Sequence, residues 1–468
     1  MPAPRDPIVN SYWQTRLAIA VGLGLSGCAI KEPHTVVPLT MPAAWSEQAA
    51  AAKEPSSPVS AQWWRAFRSK QLETLIDEAL AGSSDLRTAF QRVRQADIAL
   101  KVAGASLLPG VSASSGSSAN FSEGASTRES TTMSLSVSYE IDLWGRLAAG
   151  TESARALSEA SRYDLETVRI TLISSVANTY FQLLAMRERL EIARRSLATA
   201  ERMLGIVESR MRLGVATPLE VSQQTTAVLQ QRTALAPLEL QIRQTGSALA
   251  LLLGRQPIGF DPGAKETLMQ LQPPVVTPGL PSSLLARRPD LRAAEARLAA
   301  ADADVAAARA ALLPTISLSA GGGISSAALI SLAGGTGSAS LAASLAQTIF
   351  DGGRKKLQVE STRSQRQVLI ETYASSVRSA LKEVDDALGN ASTNQRQERT
   401  QRGVVAQAQR TLDLAELRYR EGSDTLLTVL DAQRTLFSAQ DTLAQLRLAR
   451  LTAAVDMYRV IGGGWGSQ

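Results

Sequence analysis

One segment of the chain occurs twice, and this internal repeat limits the folds that the sequence can adopt. The segment "SDLRTAFQRVRQADIALKVAGASLLPGVSAS" matches "PDLRAAEARLAAADADVAAARAALLPTISLS", with Asp85 aligned to Asp290 at an offset of 205 residues. Further along, Gly214 in "RLGVATPLEV" aligns with Gly422 in "YREGSDTLLTV" at an offset of 208 residues. A repeat of this long period predicts two structurally equivalent halves, with a short insertion in the strand region of the second half.

Each half is predicted to contain the same elements in the same order. A helical segment ends at an "LLP" sequence, because proline stops a helix. Two strands follow, and then a long helix and a return helix. The first half (71–280) contains helices at about 72–106, 146–213 and 217–253 and a β-hairpin at about 109–143; the second half (281–462) contains helices at about 283–312, 354–421 and 425–459 and a hairpin at about 314–350.

The strand prediction depends most on the segment "MSLSVSYEIDL" (133–143), in which apolar and polar residues alternate without exception. A period of two indicates an extended strand with one apolar and one polar face. Four such strands cannot close a membrane barrel, since the smallest barrels use about eight, and an open edge cannot face lipid. Three copies would supply twelve strands, and we then expect Leu135, Val137, Tyr139 and Ile141 to face lipid. The alternative is a small amphipathic sheet on a soluble helical protein.

The long helix of each half is predicted from the absence of proline and from a heptad rhythm. No proline occurs between Arg146 and Leu213, and apolar residues recur at alternating steps of four and three from Met186 onwards. A helix of this length would span about 100 Å at 1.5 Å per residue. Gly214 ends it, and Thr217 and the proline that follows are the predicted N-cap and first residue of the return helix.

The N-terminal residues are predicted to be a secretory signal. An apolar run from Leu17 to Leu25 is too short to span a bilayer as a finished helix. The sequence "LSGC" that follows resembles the lipobox of bacterial lipoproteins. The resemblance implies that residues 1–27 are removed, that Cys28 receives acyl chains, that residues 28–70 form a periplasmic tether, and that Ala29 directs the chain to the outer membrane. The alternative is an ordinary signal peptide with Cys28 as a free thiol.

Composition argues against several classes of function. The 49 basic and 43 acidic residues are interleaved along the chain, which is typical of solvated helix faces and not of nucleic-acid binding. A single Cys and a single His make a metal site or a Cys/His nucleophile pair improbable. The glycine-rich segments lack the Lys-Ser/Thr ending of a phosphate-binding loop. We therefore expect no enzyme activity, no cofactor and no metal.

Three stretches of the sequence resemble the outer-membrane factor family, of TolC and OprM type, in its nodulation-type lipoprotein branch. They are "WWRAFRSKQLETLIDEAL" (63–80), the repeated "DLR…LLP" pattern and "YREGSDTLLTVLDAQRTLFSAQ" (419–440). The family implies a homotrimer with a twelve-strand barrel in the Gram-negative outer membrane and a helical coiled-coil tunnel in the periplasm. It also implies docking to an inner-membrane transporter through a periplasmic adaptor protein, and passive conduction of drugs or other small molecules. The alternative function is a non-conducting coiled-coil structural lipoprotein of the envelope.

The resemblance also implies a gate. Leu427, Asp431 and Arg434 match the stretch that lines the family's periplasmic constriction, and their spacing of i, i+4 and i+7 puts them on one stripe of a helix. Three copies of Asp431 near one axis would hold cations or pair with Arg434, because crowded like charges disfavour ionisation. Tyr419 and Glu220 match gate-region positions on neighbouring helices. The alternative is that Asp431 is a solvated residue beside Arg434.

Overall fold

The structure, a computed structural model, describes residues 41–46, 60–121, 123–124, 127–263, 266–274 and 281–465. The predicted signal segment, Cys28 and most of the predicted tether lie outside the described residues. The described residues form two compact units. The sheet unit consists of described residues within 92–162 and 293–374, and the helical unit of described residues within 41–91, 163–292 and 375–465.

The described part of the chain is mostly helical and carries one four-stranded sheet. Short 3₁₀ turns occur at Trp63–Phe67 and Pro281–Ser283. The elements in chain order are α1 (Lys70–Gly82), α2 (Ser84–Ala105), β1 (Gly110–Asn120), β2 (Arg128–Ile141), α3 (Arg146–Arg212), α4 (Pro218–Thr233), α5 (Leu235–Leu252), α6 (Leu284–Arg287), α7 (Pro289–Ala310), β3 (Thr315–Ser326), β4 (Thr336–Ala346), α8 (Arg354–Arg420) and α9 (Leu426–Val460). The predicted fold class, mainly helical with a four-stranded β part, is confirmed.

The internal repeat is visible in the lengths of these elements. Helices α2 and α7 both contain 22 residues, and α3 and α8 both contain 67 residues. Asp142 accepts hydrogen bonds from the backbone N–H groups of Leu147 and Ala148 and so caps the start of α3. Asp351 accepts from the N–H groups of Gly353 and Lys355 at the start of α8. Both long helices therefore begin at an aspartate that satisfies N–H groups which have no partner inside the helix.

Three of the predicted helices are interrupted in the structure. The return helix predicted over 217–253 is divided at Ala234 into α4 and α5, because Pro237 has no N–H for the Thr233 carbonyl and its ring crowds that carbonyl. The helix predicted over 283–312 is interrupted at Arg288, which is extended, as is favoured for a residue that precedes proline. The helix predicted over 72–106 is interrupted at Ser83, which is also extended.

The sheet unit contains one antiparallel sheet with the strand order β1-β2-β3-β4. The strands are 11 to 14 residues long, the length of a membrane-spanning β-strand or slightly more. Trp144, just beyond β2, donates from its indole N–H to the carbonyl of Pro314 at 2.6 Å, which ties the end of β2 to the start of β3. Among the described residues, no helix is both long enough and apolar enough to cross a membrane.

The helical unit has separate apolar clusters. The largest contains aromatic residues, including Trp63, Phe67, Tyr180 and Phe181, all of them almost completely buried. A second cluster joins the C-terminal parts of α3 and α8 to the N-terminal part of α9. Its buried members at steps of three or four residues are Met203, Val207, Ala408, Leu412, Ala415, Tyr419, Leu426, Val429, Ala432, Leu436 and Ala439. Steps of three and four residues are typical of a coiled-coil contact. Val207 is in the register that the heptad rhythm predicts, whereas Met203 lies one residue before the predicted Leu204 and the predicted Met211 is exposed.

Candidate functional site

The C-terminal ends of α3 and α8 have the same local geometry. Gly214 and Gly422 follow these helices with φ values of 75° and 77°, a left-handed conformation that glycine adopts without steric cost. The next N–H on each side bonds back to an arginine carbonyl at 2.9 Å, from Val215 to Arg210 and from Ser423 to Arg418. These are Schellman-type helix ends, which reverse the chain sharply into the following helix.

Glu220 occupies a capping box at the start of α4. Its Oε2 atom accepts from the backbone N–H of Thr217 at 2.7 Å, and the Thr217 hydroxyl accepts from the N–H of Glu220 at 3.3 Å. Thr217 is thus the N-cap and Pro218 the first residue of α4, as predicted. The second carboxylate oxygen, Oε1, accepts from the phenol of Tyr419 at 3.3 Å. Two residues that sequence similarity places in one gate region are therefore in direct contact.

Tyr419 is buried at the end of α8 and has a cation over its ring. The guanidinium of Arg210 lies 4.7 Å from the ring centre and donates to the carbonyls of Tyr419 and Arg420, both at 3.0 Å. Burial raises the pKa of the Tyr419 phenol, and the negative charge of Glu220 raises it further. Arg210 was not among the predicted site residues. The sequence does contain a signal for Arg210. The internal repeat aligns it with Arg418 at an offset of 208 residues, and both arginines lie in the last turn of a long helix.

Leu427, Asp431 and Arg434 form an exposed stripe along α9. Leu427 is 66% exposed, and Asp431 and Arg434 are also exposed. The neighbouring residues Leu426 and Val429 are buried in the helical core. Neither Asp431 nor Arg434 has a hydrogen bond or ion pair with another described residue, so the two charges are not paired within one chain. The stripe therefore faces away from the chain's own core.

The strand register separates the sheet into two chemically different faces. Leu135, Val137, Tyr139 and Ile141 of β2 lie opposite residues of the neighbouring strands that are almost all aliphatic or glycine. This apolar face contains Val111, Ala113, Met133, Ile316, Leu318, Ala320, Ile324, Leu341, Ala343 and Leu345 in addition to those four residues.

The other face of the sheet is lined by serine and glycine over most of its length. Hydroxyl pairs join adjacent strands across this face, Ser112 with Ser136 at 2.7 Å and Ser317 with Ser344 at 2.7 Å. Glu140 lies at the end of this face nearest α3, where its carboxylate forms an ion pair with Arg146 at 2.8 Å. The hydroxyl-lined face is polar but carries almost no charge over the length of the strands.

Comparison with known proteins relates these features to a family. The model of the outer membrane efflux protein family matches residues 75–255 and again residues 280–463, which together make up most of the chain. The chain belongs to the outer membrane efflux protein family. The two matches correspond to the two halves of the internal repeat, so each half of the chain is one copy of the family's unit.

The relatives of this outer membrane efflux protein align with it over nearly the whole length of both sequences. The pyoverdine export outer membrane protein OpmQ of Pseudomonas aeruginosa is 41% identical over 450 residues, which is 92% of each chain. The toluene efflux pump outer membrane protein TtgC of Pseudomonas putida is 35% identical, over 95% of this chain and 94% of the relative. The crystal structure of the open state of the Neisseria gonorrhoeae MtrE outer membrane channel has a TM-score of 0.84 and 28% identity, and covers 93% of this chain and 98% of that chain.

This similarity identifies the chain as the outer-membrane channel component of an efflux or export system. Its relatives are channel and transport proteins of the Gram-negative outer membrane. Within the described ranges, no group of three or more His, Cys, Asp or Glu side chains is placed to hold a metal ion. The candidate functional regions of this channel protein are therefore the two faces of the sheet and the helix ends around Tyr419.

Proposed function

We propose that three copies of the chain form one twelve-strand barrel that passively conducts small molecules outwards. The observation that carries the proposal is the four-stranded sheet, with one apolar and one hydroxyl-lined face. Its outer strands, β1 and β4, each pair with a single strand of the chain. A free strand edge is not tolerated in lipid, because its backbone N–H and C=O groups have no partner there. Three sheets joined edge to edge remove every free edge.

In such a barrel the apolar face contacts lipid and the hydroxyl face lines the lumen. Leu135, Val137, Tyr139 and Ile141 are the lipid-facing residues of β2 under this proposal. The opposite orientation would expose rows of serine to hydrocarbon and rows of leucine to water, and both changes are unfavourable. A lumen of serine and glycine with almost no charge discriminates little between charged and neutral molecules, so selection among exported molecules falls to other parts of the channel.

The gate is proposed to lie at the helix ends of the helical unit. Three-fold symmetry brings the exposed stripes of three α9 helices together, with Leu427 and Asp431 facing the axis. The ring of Asp431 carboxylates then holds cations near the axis, or Asp431 pairs with Arg434 of a neighbouring chain and keeps the gate closed. Tyr419 and Glu220 act as a latch that holds α8 against the start of α4.

The outer-membrane channel is proposed to work with two further components and with a lipid anchor. A periplasmic adaptor protein connects it to an inner-membrane transporter, which supplies the energy, so the chain itself needs neither catalysis nor a cofactor. Acyl chains on Cys28 attach it to the membrane. Because two relatives are named for pyoverdine export and toluene efflux, we expect small organic molecules as cargo.

The assembly and the conduction can be tested together on the purified protein. Native mass spectrometry in detergent is expected to give a trimer, and planar bilayer recording is expected to give discrete channel openings. A trimer whose apparent mass on gels changes with heating would also be typical of a closed barrel. A monomer, or a trimer without any conductance, would instead favour the structural lipoprotein.

A further inference from the structure

The loop between β3 and β4 (residues 327–335) lies at the end of the sheet where neither hairpin connects to a helix. At the opposite end, the strands continue into α2, α3, α7 and α8. If the helices are periplasmic, as the family's architecture requires, this loop is at the outer surface of the membrane. We call it the outer loop.

The outer loop is fixed to the apolar face of the sheet. The Thr131 hydroxyl donates to the carbonyl of Ala328 at 2.8 Å and accepts from the N–H of Ile330 at 2.9 Å, and the Glu129 carboxylate accepts from the N–H of Leu329 at 3.1 Å. Glu129 and Thr131 alternate in step with Met133 and Leu135 along β2, so their side chains lie on the same side of the sheet as the apolar face, at its polar end, where Ser117 also bonds Thr131 at 2.9 Å. The backbone of the loop is therefore folded over that face and not towards the hydroxyl face.

A glycine contact supports the same placement. Gly335 closes the outer loop, and its N–H donates to the carbonyl of Leu332 at 3.1 Å. A Cβ atom added at Gly335 would lie 2.7 Å from the Cγ2 atom of Ile324, a residue of the apolar face. The end of the loop therefore returns to β4 in close contact with that face.

Three aliphatic side chains of the outer loop are exposed: Leu329, Ile330 and Leu332. Ile330 is 83% exposed and has a φ of 57°. A β-branched residue is strongly disfavoured in this left-handed region, where glycine or asparagine would fit without strain. The bonds from Thr131 and Glu129 hold the backbone in this conformation, and the result is an isoleucine presented to the surroundings.

We propose that the outer loop is a lipid-contacting element that inserts Leu329, Ile330 and Leu332 among the acyl chains of the outer leaflet. The inference rests on the proposed lipid contact of the apolar face, with which the loop is continuous. Membrane barrels flank their apolar band with aromatic residues at both interfaces. The strands of this sheet contain one aromatic residue, Tyr139, near the end that connects to the helices. At the other end Phe121 directly follows β1 and is 80% exposed. The aliphatic loop adds apolar contacts at that interface.

Spin labelling tests this placement in the assembled channel. The chain has one cysteine, so Cys28→Ser provides a background for single-cysteine variants. Ile330→Cys and Leu332→Cys report on the outer loop. Ser118→Cys is the matched control at the same end of the sheet on the hydroxyl face, and Val137→Cys reports on the middle of the apolar face. The labelled trimers are placed in vesicles of phosphatidylethanolamine and phosphatidylglycerol. Collisions of the nitroxide with oxygen, which partitions into lipid, are compared with collisions with a water-soluble nickel chelate.

We expect the oxygen-to-nickel ratio at positions 330 and 332 to exceed that at Ser118→Cys several-fold and to approach that at Val137→Cys. Free access of the nickel chelate to both loop positions would mean that the loop is in water, and low access of both reagents would mean that it packs against another chain. Either result overturns the inference while a high ratio at Val137→Cys preserves the barrel proposal. A low ratio at Val137→Cys itself would overturn both.

Discussion

Tyr419 donates its phenol proton to Glu220 at 3.3 Å, joining residues that are 199 positions apart in the sequence. The same carboxylate caps α4 through its other oxygen, so one side chain connects the start of α4 to the end of α8. The guanidinium of Arg210 lies over the face of the Tyr419 ring. Motion of α8 relative to α4 at this point has to break a hydrogen bond that involves a charged group, which makes the contact suitable as a latch.

The first prediction concerns this latch. Tyr419→Phe removes the phenol oxygen but leaves the ring, the Arg210 contact and the capping box in place. Loss of a hydrogen bond to a charged carboxylate is expected to destabilise the latched form by about 1.5–3 kcal/mol, and therefore to increase the fraction of time that the channel is open. Single-channel recording of the purified trimer measures this fraction.

Thr217→Ala is the control for the latch, because the Thr217 hydroxyl bonds the Oε2 atom and the N–H of Glu220, whereas Tyr419 bonds the Oε1 atom. The variant weakens the capping box and leaves the phenol of Tyr419 and its acceptor atom in place. It is expected to lower the thermal stability of the trimer and to leave the open fraction near the wild-type value. An unchanged open fraction in Tyr419→Phe, or an equal change in both variants, would mean that the contact has no role in gating.

The sequence predicted the fold well where its signals were local and periodic. The strict alternation around Val137 predicted a strand, and the repeat of Gly214 at Gly422 showed that the second half has the same elements. Together these signals predicted a mainly helical chain with a four-stranded sheet. The break at Ala234 was not predicted, although Pro237 lies inside the helix predicted over 217–253, where a proline is expected to interrupt the helix about one turn earlier.

Contacts between distant residues could be predicted only where a resemblance supplied them. The contact of Tyr419 with Glu220 was accessible in this way. A buried ion pair joins Arg447 to Glu398 at 3.0 Å. The sequence gave no signal for this pair, because charged residues of long helices are usually solvated, and burial by another segment of the chain leaves no periodic trace in the sequence. The spacing of Asp431 and Arg434 placed both on one stripe, but whether they pair depends on other chains.

The second prediction concerns the buried carboxylate of Glu398. It accepts from Arg447 at 3.0 Å, from Arg402 at 2.6 Å and from Arg450 at 2.8 Å, and only 1% of the residue is exposed. Arg447 also donates to the carbonyl of Leu271. Glu398→Gln leaves the buried Arg447 charge without its partner and is expected to destabilise the protein by about 3–5 kcal/mol. Thermal unfolding in detergent measures the loss, and Asp386→Asn, in an exposed pair with Lys382, is expected to change the midpoint little.

The same carboxylate predicts a pH dependence with a definite sign. Burial raises the pKa of Glu398, but the hydrogen bonds from Arg450 and Arg402 and the charge of Arg447 outweigh it and hold the pKa below its ordinary value. The contribution of Glu398 to stability is therefore complete above about pH 4.3, the unfolded value, and is lost as the pH falls through the lower folded value. The difference in unfolding temperature between wild type and Glu398→Gln is expected to shrink on acidification. A difference that stays constant down to the lowest pH would contradict this account.

The third prediction compares the two faces of the sheet. Val137 lies opposite Val111 and Ala320, whereas the adjacent Ser136 lies opposite Ser112 and Gly321. Arginine at a lipid-facing position near the middle of a barrel costs about 2–4 kcal/mol, so Val137→Arg is expected to reduce the amount of trimer in the outer membrane. Ser136→Arg places its charge in a water-filled lumen and is expected to be much milder. Equal losses in both variants would contradict the proposed orientation of the strand.

The fourth prediction concerns the N-terminal anchor. If Cys28 is the lipidated residue, Cys28→Ser abolishes incorporation of radioactive palmitate, while the neighbouring change Ser26→Ala leaves incorporation in place. One acyl chain holds a protein to a membrane only marginally, and firm attachment needs two or more. Part of the Cys28→Ser protein is still expected in the membrane, because the barrel inserts independently of the anchor. Undiminished labelling of Cys28→Ser would exclude the assignment.

The fifth prediction tests the gate stripe through the charge of Asp431. The residue is exposed and has no partner within the described chain, so in a trimer three carboxylates are free to face the axis. Such a ring attracts cations, and Asp431→Asn removes its charge with almost no change in shape. We expect a changed conductance and a weaker preference for cations, measured as a shift of the reversal potential under a salt gradient. The internal repeat supplies a control, because Gln223 lies at the 208-residue offset from Asp431 in the first half. Gln223→Ala is expected to leave the reversal potential unchanged. A wild-type conductance and reversal potential in Asp431→Asn would mean that Asp431 is a solvated helix residue with no part in the gate.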